Sequence, residues 1–399
     1  MNFTEFSAVA AVSLMAWLYL IAGRGAFWRA DWVRSDRPPG ELSSRPRVVA
    51  VIPARDEAAT IGRTVISLLR QDYGADLAVI VVDDGSRDGT AEAARRAAAM
   101  LPDVAGRLHI LAGQDLPNGW SGKVWAMDQG IRHADSIEPQ ATYLLLTDAD
   151  IEHDPSNVRV LVTMAEAGQL DLVSLMVLLR TDGGWARLLI PAFVFYFQKL
   201  FPFAWVNDPK RATAAAAGGC MLVRRMALRN AGGVESIRGD LIDDCALARR
   251  VKPHGAIWLG LTTAVKSLRP YDGLGEIWRM VTRTAFEQLG HSAWRVLASV
   301  LGMAIVYLSP PVCLVMGLLS GDPLAAVMAG LAWLLMALAY RPTLILYGEP
   351  AWLAATLPLA GLLYTLMTID SACRSWRGRG GGWKARTYPS PGQHGKRTS

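Results

Sequence analysis

The sequence predicts an α/β fold: a mostly parallel sheet with helices on both faces, plus N- and C-terminal transmembrane helices. Short apolar runs alternate with helix-like stretches in the middle of the chain, acidic residues directly follow two of those runs, and long uncharged blocks lie near both ends. With 399 residues, 52% of them hydrophobic, and a net charge of +6, the chain is long enough for one large domain or two smaller ones.

The N-terminal apolar run covers residues 7–22 and carries no formal charge. A cleaved signal peptide is the alternative interpretation, but there the basic residues precede the apolar run. Here four arginines follow it, at positions 24, 29, 34 and 37. By the positive-inside rule we predict a membrane anchor over residues 1–24, with its C-terminal end in the cytoplasm.

The middle of the chain, residues 45–290, reads as one domain. Helical spacing, as in Ile61, Val65, Leu68 and Leu69, separates the strand-like runs, and this βαβ alternation predicts a parallel sheet. Ligands of such sheets bind beyond the carboxyl ends of the strands. The strand-like runs are residues 47–53, 77–86, 108–113, 143–150 and 171–179.

Four carboxylates crowd the end of one run, in "YLLLTDADIEHD" at residues 143–154. Asp148 and Asp150 stand one residue apart, and hard oxygen ligands of this kind suit Mg²⁺ or Mn²⁺ that keeps positions open for substrate phosphates. A solvated turn is the alternative. Asp83 and Asp84 end another run and could bind a base or a ribose, or simply form an Asp-Gly turn with a helix cap.

Two further motifs carry charge at predicted helix starts. Lys123, in "GWSGKVWAMDQG", lies where a cation and backbone N–H groups can meet a phosphate, although the P-loop spacing is absent and a surface lysine is the alternative. Asp243 and Asp244 are adjacent acids that raise each other's pKa when close, which suits a general base. They could also simply favour a helix N-terminus.

The order of these motifs resembles the family 2 glycosyltransferases of the GT-A fold, over about residues 47 to 290. Within that family the chain looks most like the hopene-associated glycosyltransferases encoded with bacterial hopanoid biosynthesis. The motifs are Pro53-Ala54-Arg55-Asp56-Glu57, Asp83-Asp84-Gly85-Ser86, Gly122-Lys123, Asp148-Ala149-Asp150, Gly218-Gly219 and Asp243-Asp244.

The resemblance implies inverting transfer of a sugar from a nucleotide-sugar donor. It makes Asp244 the general base, with Asp243 beside it, and it assigns the metal to Asp150 and Asp148. Arg279 and Arg283 lie where many members bind the acceptor or the diphosphate, but Thr284 follows where the family has tryptophan. The residues assigned to the donor are Pro53, Arg55, Glu57, Asp83, Asp84, Lys123 and Asp148.

The C-terminal region, residues 291–370, holds three apolar blocks, and a basic tail follows at residues 371–399, which we expect to be disordered. Seven Lys or Arg and no acid lie between positions 374 and 397. Three full crossings from a cytoplasmic domain would put this tail outside, against the charge rule. We therefore expect one block to re-enter or to lie in the interface.

An aromatic-rich stretch at residues 183–206 has two interpretations. Aromatic residues with a lysine suit a membrane interface, where the stretch would guide a lipid acceptor and Phe195 and Phe197 would contact lipid. Alternatively, it is a buried subdomain against the sheet.

We therefore expect a multi-pass enzyme of the bacterial inner membrane with a cytoplasmic catalytic domain, acting on a lipid such as a hydroxylated hopanoid. A polyprenyl phosphate or glycerolipid acceptor, or a non-catalytic membrane scaffold of the same fold, remains open. A nucleotidyltransferase lacks its glycine-rich basic loop here, and an oxidoreductase lacks Gly-x-Gly-x-x-Gly. The basic charge lies near apolar segments, which favours anionic lipid over nucleic acid, and the four cysteines show neither disulfide nor zinc spacing.

Overall fold

A central mixed sheet of eight strands organises the molecule, whose computed structural model describes residues 3–31, 45–102, 104, 106–378, 382–383 and 386–387. The strands stand in the order β3-β2-β1-β4-β7-β6-β8-β5. They are β1 Val48–Ala54, β2 Leu77–Asp83, β3 Leu108–Ala112, β4 Tyr143–Thr147, β5 Ile151–His153, β6 Leu170–Leu178, β7 Cys220–Arg224 and β8 Ala256–Ser267. A separate two-stranded ladder joins β9 Gly382–Trp383 to β10 Arg386–Thr387.

Helices cover both faces of the sheet and continue into an apolar region. The α-helices are α1 Phe3–Gly23, α2 Ile61–Leu69, α3 Thr90–Ala99, α4 Gly122–Ile137, α5 Asn157–Ala167, α6 Gly184–Leu200, α7 Phe203–Val206, α8 Arg225–Asn230, α9 Asp243–Val251, α10 Leu274–Gln288, α11 Ala293–Met303, α12 Ser309–Ser320, α13 Pro323–Leu346 and α14 Leu357–Trp376. Short 3₁₀ helices lie at Gly74–Asp76, Val234–Ile237 and Ala351–Thr356, and a π-helical stretch, Ala304–Leu308, joins α11 to α12.

The parallel half of the sheet is confirmed, since β3, β2, β1 and β4 all run the same way. The other half is mixed, because β7 is inserted antiparallel between β4 and β6, and β5 pairs antiparallel with β8. Apolar periodicity does not identify β5 or β7, because runs of three to five residues are too short to show a period.

Alternating side chains of each strand enter opposite hydrophobic clusters. In β1, Val49 and Val51 face one cluster, while Val48, Ala50 and Ile52 face the other. This alternation follows from the two-residue period of a strand. Because both faces of β1 are covered, all seven of its residues are buried.

Helix α6 lies between the sheet and the apolar helices. Leu189, Phe195 and Tyr196 belong to a third cluster together with residues of α1, α13 and α14, whereas Val194 packs into a cluster of the sheet. Phe195 is 0% exposed, so its expected contact with lipid is wrong and the buried interpretation holds for it. Packing on both sides excludes that ring from water and lipid alike.

Among the residues that the structure describes, four helical segments are long and apolar enough to cross a membrane, judged by length and composition. They are Glu5–Gly23, Ala293–Ser320, Pro323–Leu346 and Ala351–Trp376. The last extends six residues into the expected tail, whose boundary therefore moves from residue 371 to beyond Trp376. Most of the remaining tail lies outside the described residues.

Candidate active site

Five chain segments converge at one edge of the sheet. The parallel strands β1, β2 and β4 end there at Ala54, Asp83 and Thr147. Because β7 runs antiparallel to β4, with Thr147 opposite Cys220, the loop that precedes β7 reaches the same edge. The N-terminus of α9 completes the arrangement, as the contacts of Asp244 below show.

Lys123, in the first turn of α4, joins two acids that are far apart in sequence. Its Nζ lies 2.9 Å from Asp148 Oδ1 and 3.1 Å from Asp243 Oδ2, so these two oxygens are at most about 6 Å apart. Burial alone would lower the pKa of Lys123, but the charges of Asp148, Asp243 and Asp244 raise it above its ordinary value. Lys123 is therefore an ammonium ion held between carboxylates.

Asp244 is held by backbone N–H groups. Gly218 N donates to its Oδ2 at 2.8 Å, and Cys245 N donates to its Oδ1 at 2.7 Å. Burial, and then the neighbouring charge of Asp243, raise the pKa of Asp244 to about 6, against the opposing effect of Lys123. A carboxyl with this pKa is ionised at neutral pH and basic enough to accept a proton.

The Gly218-Gly219 pair allows the close approach of these groups. A Cβ at Gly218 would lie 3.2 Å from Lys123 Nζ and 3.4 Å from Asp244 Oδ2. A Cβ at Gly219 would lie 2.9 Å from Val177 Cγ1. Glycine here leaves room for the charged groups above it and the sheet below it.

The ends of β1 and β2 form a second, adjacent corner. The Arg55 guanidinium donates to the Asp84 carbonyl and lies 3.3 Å from Asp84 Oδ2, and Asp84 is 1% exposed. Ser86 N donates to Asp83 Oδ1 at 2.9 Å, and Gly85 has a φ of +65°. The turn therefore orders both acids, as expected for residues that bind a ligand beyond the strand ends.

Pro53 and Glu57 flank this corner. Pro53 is buried within β1, opposite Val82, so it shapes the strand end from inside the sheet. Glu57 N donates to Thr90 Oγ1 at 2.9 Å, which fixes the turn before α2 onto the start of α3.

The four acids of residues 148–154 have different partners. Glu152 pairs with Arg63 at 2.8 Å, and Asp154 Oδ1 accepts from Ser156 N at 2.9 Å. These two acids support surface structure, which leaves Asp148 and Asp150 at the strand end. The Asp150 carbonyl accepts from Leu268 N at 2.7 Å, which ties this turn to the end of β8.

His153 supports the turn from below and has no counterpart in the sequence predictions. Its Nε2 and Nδ1 lie 3.0 Å from Thr147 Oγ1 and 3.1 Å from Asn157 Nδ2. Since Thr147 Oγ1 donates to the Gly219 carbonyl, we assign the imidazole proton to Nε2. Burial lowers the pKa of His153 to about 3, so it is a neutral structural link; because the sequence does not identify β5, it gave no signal for this residue.

Arg279 and Arg283 occupy exposed positions one turn apart on α10. Arg279 lies 3.8 Å from Glu276. Neither arginine forms an ion pair with Asp148, Asp243 or Asp244 in the described part of the chain. Burial raises the pKa of Tyr271, three residues before α10, to about 12, with opposing contributions from Asp150 and Arg283.

The donor set fits a hard divalent cation. No group of three or more His, Cys, Asp and Glu side chains stands together as a metal site within the described ranges. The ammonium of Lys123 nevertheless lies between Asp148 and Asp243, so these two carboxylates already bind one positive charge. Carboxylate oxygens at a strand end are the ligands that Mg²⁺ and Mn²⁺ prefer.

Comparison with known proteins finds similarity to glycosyltransferases. Residues 49–232 match the family model described as "Glycosyl transferase family 2". An 84-residue stretch is 39% identical to a 4,4'-diaponeurosporenoate glycosyltransferase of Staphylococcus aureus (strain USA300), covering 21% of this chain and 20% of that protein. The chain thus spans about a fifth of the length of the curated relatives it matches.

The solved structure of mannosyltransferase PcManGT from Pyrobaculum calidifontis, in complex with GDP-Man and Mn²⁺, aligns with a TM-score of 0.55. The alignment covers 90% of this chain and 99% of that chain at 21% identity. At this identity the likeness shows a shared fold. The architecture is therefore the GT-A type expected from the sequence.

Proposed function

From the premise that residues 49–232 carry a glycosyl transferase family 2 domain, we propose that the protein is a membrane-bound, inverting, metal-dependent glycosyltransferase. It moves a sugar from a nucleotide-sugar donor to a lipid acceptor. The observation that carries this proposal is the junction of Lys123 with Asp148 and Asp243, beside an Asp244 whose pKa is about 6. This junction combines a phosphate-binding cation, metal-binding oxygens and a base.

The donor lies beyond the strand ends in this proposal. Asp83 and Asp84, ordered by Ser86 and Arg55, contact the nucleoside, and Lys123 lies near the diphosphate. Asp148 and Asp150 hold Mg²⁺ or Mn²⁺, which when bound supplies positive charge to the departing diphosphate. PcManGT, which shares the fold, was solved with GDP-Man and Mn²⁺, and this supports the choice of donor and metal.

Asp244 acts on the acceptor. Its carboxylate takes the proton of the acceptor hydroxyl as the oxygen forms a bond to the anomeric carbon, and the bond from that carbon to the diphosphate breaks. The backbone N–H groups of Gly218 and Cys245 keep the carboxylate aimed at the site. Asp243 remains paired with Lys123, which divides the two adjacent acids into a base and an ion-pair partner.

The acceptor is a lipid, and four apolar helical segments adjoin the catalytic domain in support of that class. A hopanoid acceptor must carry an oxygen nucleophile, because a hydrocarbon such as hopene has no hydroxyl to attack. Polyprenyl phosphates and glycerolipids meet the same chemical requirement. We place the protein in the bacterial inner membrane, with residues 45–290 as a cytoplasmic catalytic domain.

Turnover by detergent-purified protein tests this proposal. UDP- and GDP-sugars are screened with Mg²⁺ or Mn²⁺ and a bacterial lipid extract, beside Asp150→Ala, Asp244→Asn and the surface control Glu92→Gln. We expect Asp244→Asn to lower turnover by about 10²–10⁴-fold, as for loss of a general base. We expect Asp150→Ala to abolish metal-dependent turnover. Full metal-dependent turnover in both variants would contradict the assignment, and no turnover with any donor would favour a non-catalytic scaffold.

A further inference from the structure

We propose that residues Ala351–Trp376 form a re-entrant element that enters the bilayer and returns to the same side. The chain then crosses the membrane three times, and the basic segment after Trp376 lies on the side of the catalytic domain. By its length and apolar composition alone, Ala351–Trp376 could form a fourth crossing. The packing of the segment points to the re-entrant path, and this inference does not depend on the donor or the acceptor.

Three segments form the crossing bundle: α1, α13 and the continuous helical segment Ala293–Ser320. Helix α1 packs on α12 and α13, and α12 packs on α13. Ser7 Oγ donates to Asp322 Oδ2 at 2.6 Å, which joins the start of α1 to the α12–α13 turn. We call this the distal end, because at the opposite end of α1 Arg24 Nε donates to Lys199 O of α6, next to the sheet domain.

The segment after α13 turns back toward the distal end. At a rise of about 1.5 Å per residue, Leu346 at the end of α13 lies about 35 Å along the helix axis from Pro323 at its start, whereas Trp333 lies about 15 Å from Pro323. Trp333 Nε1 donates to Ala355 O at 3.1 Å. Residues 347–355 therefore descend along α13 to about the middle of a hydrocarbon core roughly 30 Å thick.

Helix α14 then returns toward the catalytic domain. At Gly361 it passes the π-helical stretch, where a Cβ would lie 2.8 Å from Tyr307 Cβ. Tyr364 Oη donates to Leu189 O of α6 at 2.8 Å, and Trp278 Nε1 of α10 donates to Asp370 Oδ2 at 2.7 Å. Successive residues of α14 thus contact elements that lie progressively nearer to the catalytic domain.

Helix α10 fixes the end of this path outside the hydrocarbon. It carries Glu276, Arg279, Arg283 and Glu287, and charged side chains of this number are costly within a bilayer core. Ser371 Oγ donates to Thr282 O of α10 at 2.6 Å. Because α14 ends against α10, both ends of the re-entrant element lie on the catalytic side.

One face of α14 carries the surface that would contact lipid. Leu359, Leu362, Leu366 and Ile369 recur at helical spacing and are 38–49% exposed. The opposite face packs on α6, α10 and α11. The partner of the exposed stripe is therefore the acyl-chain region of the leaflet on the catalytic side, continuous with the lipid-facing surface of the bundle. The positive-inside rule agrees, since the basic tail stays with the catalytic domain.

Cysteine accessibility in sealed cells tests the path. In a variant with all four cysteines replaced by alanine that still inserts into the membrane and keeps the wild-type melting temperature in detergent, single cysteines are placed by Arg87→Cys, Ser399→Cys and Asn2→Cys. Arg87 is exposed on the catalytic domain, and Asn2 precedes the first crossing. Labelling with a membrane-impermeant maleimide is compared before and after permeabilisation.

We expect Ser399→Cys to behave like Arg87→Cys and opposite to Asn2→Cys. Labelling of Ser399→Cys together with Asn2→Cys would mean that α14 crosses and would overturn the proposal. Since the comparison is between sites of one chain, it holds for either orientation of the catalytic domain. If the cysteine-free protein does not fold, wild-type protein with an epitope tag after Ser399 is digested with protease in right-side-out and in inverted vesicles: the tag and the catalytic domain are expected to be digested from the same side, and digestion from opposite sides would overturn the proposal.

Discussion

The pH dependence of turnover should report the protonation of Asp244. Burial and the charge of Asp243 raise its pKa to about 6 from an ordinary 3.8. At pH 5 about one molecule in ten then carries the ionised base, so turnover falls about tenfold from its plateau above pH 7. Initial rates at saturating donor and metal, measured from pH 4.5 to 8.5, give the profile.

The same carboxyl makes an opposite contribution to stability. The pKa of Asp244 is higher in the folded protein than in the unfolded chain, so the protonated carboxyl favours the folded state. Its contribution to the free energy of unfolding is fully present below pH 3.8 and is lost as the pH rises through about 6. The loss at pH 7 is at most about 3 kcal/mol, and partial solvent exposure of Asp244 reduces it. Asp244→Asn should therefore turn over about 10²–10⁴-fold more slowly and yet be more stable than wild type at pH 7, with the gain in stability absent at pH 4.

Thermal unfolding at both pH values, with Glu92→Gln as the matched surface carboxylate, separates the two effects. Glu92 is 60% exposed and pairs with Arg95 within α3, so its removal should leave both the rate profile and the stability near wild type. A wild-type rate that stays flat down to pH 4.5 would refute the role of Asp244 as a base. Equal destabilisation of Asp244→Asn at pH 4 and pH 7 would refute the electrostatic argument.

Two further substitutions test the charge junction and the α6 layer. Lys123→Met should destabilise the metal-free protein by about 3–5 kcal/mol, because it leaves partly buried carboxylates without their cation. Mn²⁺ should therefore raise the melting temperature of Lys123→Met more than that of wild type, with the exposed Lys210→Met as the control. An equal rise with Mn²⁺ in Lys123→Met and wild type would count against a cation position shared by Lys123 and the metal. Phe195→Ala should lower the free energy of unfolding by about 3–5 kcal/mol, because it deletes a core side chain. Trp185→Ala, at a position 45% exposed, should lower it much less. Equal melting temperatures of these two variants in detergent would contradict the packing of α6.

The sequence was sufficient to bring distant residues to one site. The strand-end rule predicted Asp148 at the sheet edge, and the family resemblance put Lys123 near the same donor; the structure joins them at 2.9 Å. Asp243 joins the same lysine from 120 residues further along the chain. Parallel strands explain this success, because their carboxyl ends share an edge wherever the intervening residues run.

The sequence did not predict side-chain directions that a short strand or a loop determines. Adjacent acids appear equivalent in sequence, but in "DIEHD" the short strand β5 turns Glu152 toward Arg63 and His153 into the core. The separate roles of Asp243 and Asp244 depend on the Gly218 amide, which approaches through a loop that no periodicity predicts. Composition likewise makes 351–376 a candidate span, and only its contacts with α6 and α10 reveal its path.

The concentration of acid in a basic chain now has a physical account. Asp148, Asp243 and Asp244 share the field of Lys123, and the single ammonium leaves the group with net negative charge. Burial, and then the charge of Asp243, raise the pKa of Asp244, and the remaining negative charge favours binding of a further cation. In the function proposed above, a divalent ion at Asp148 and Asp150 would supply that charge, so that one electrostatic imbalance would prepare both the base and the metal position.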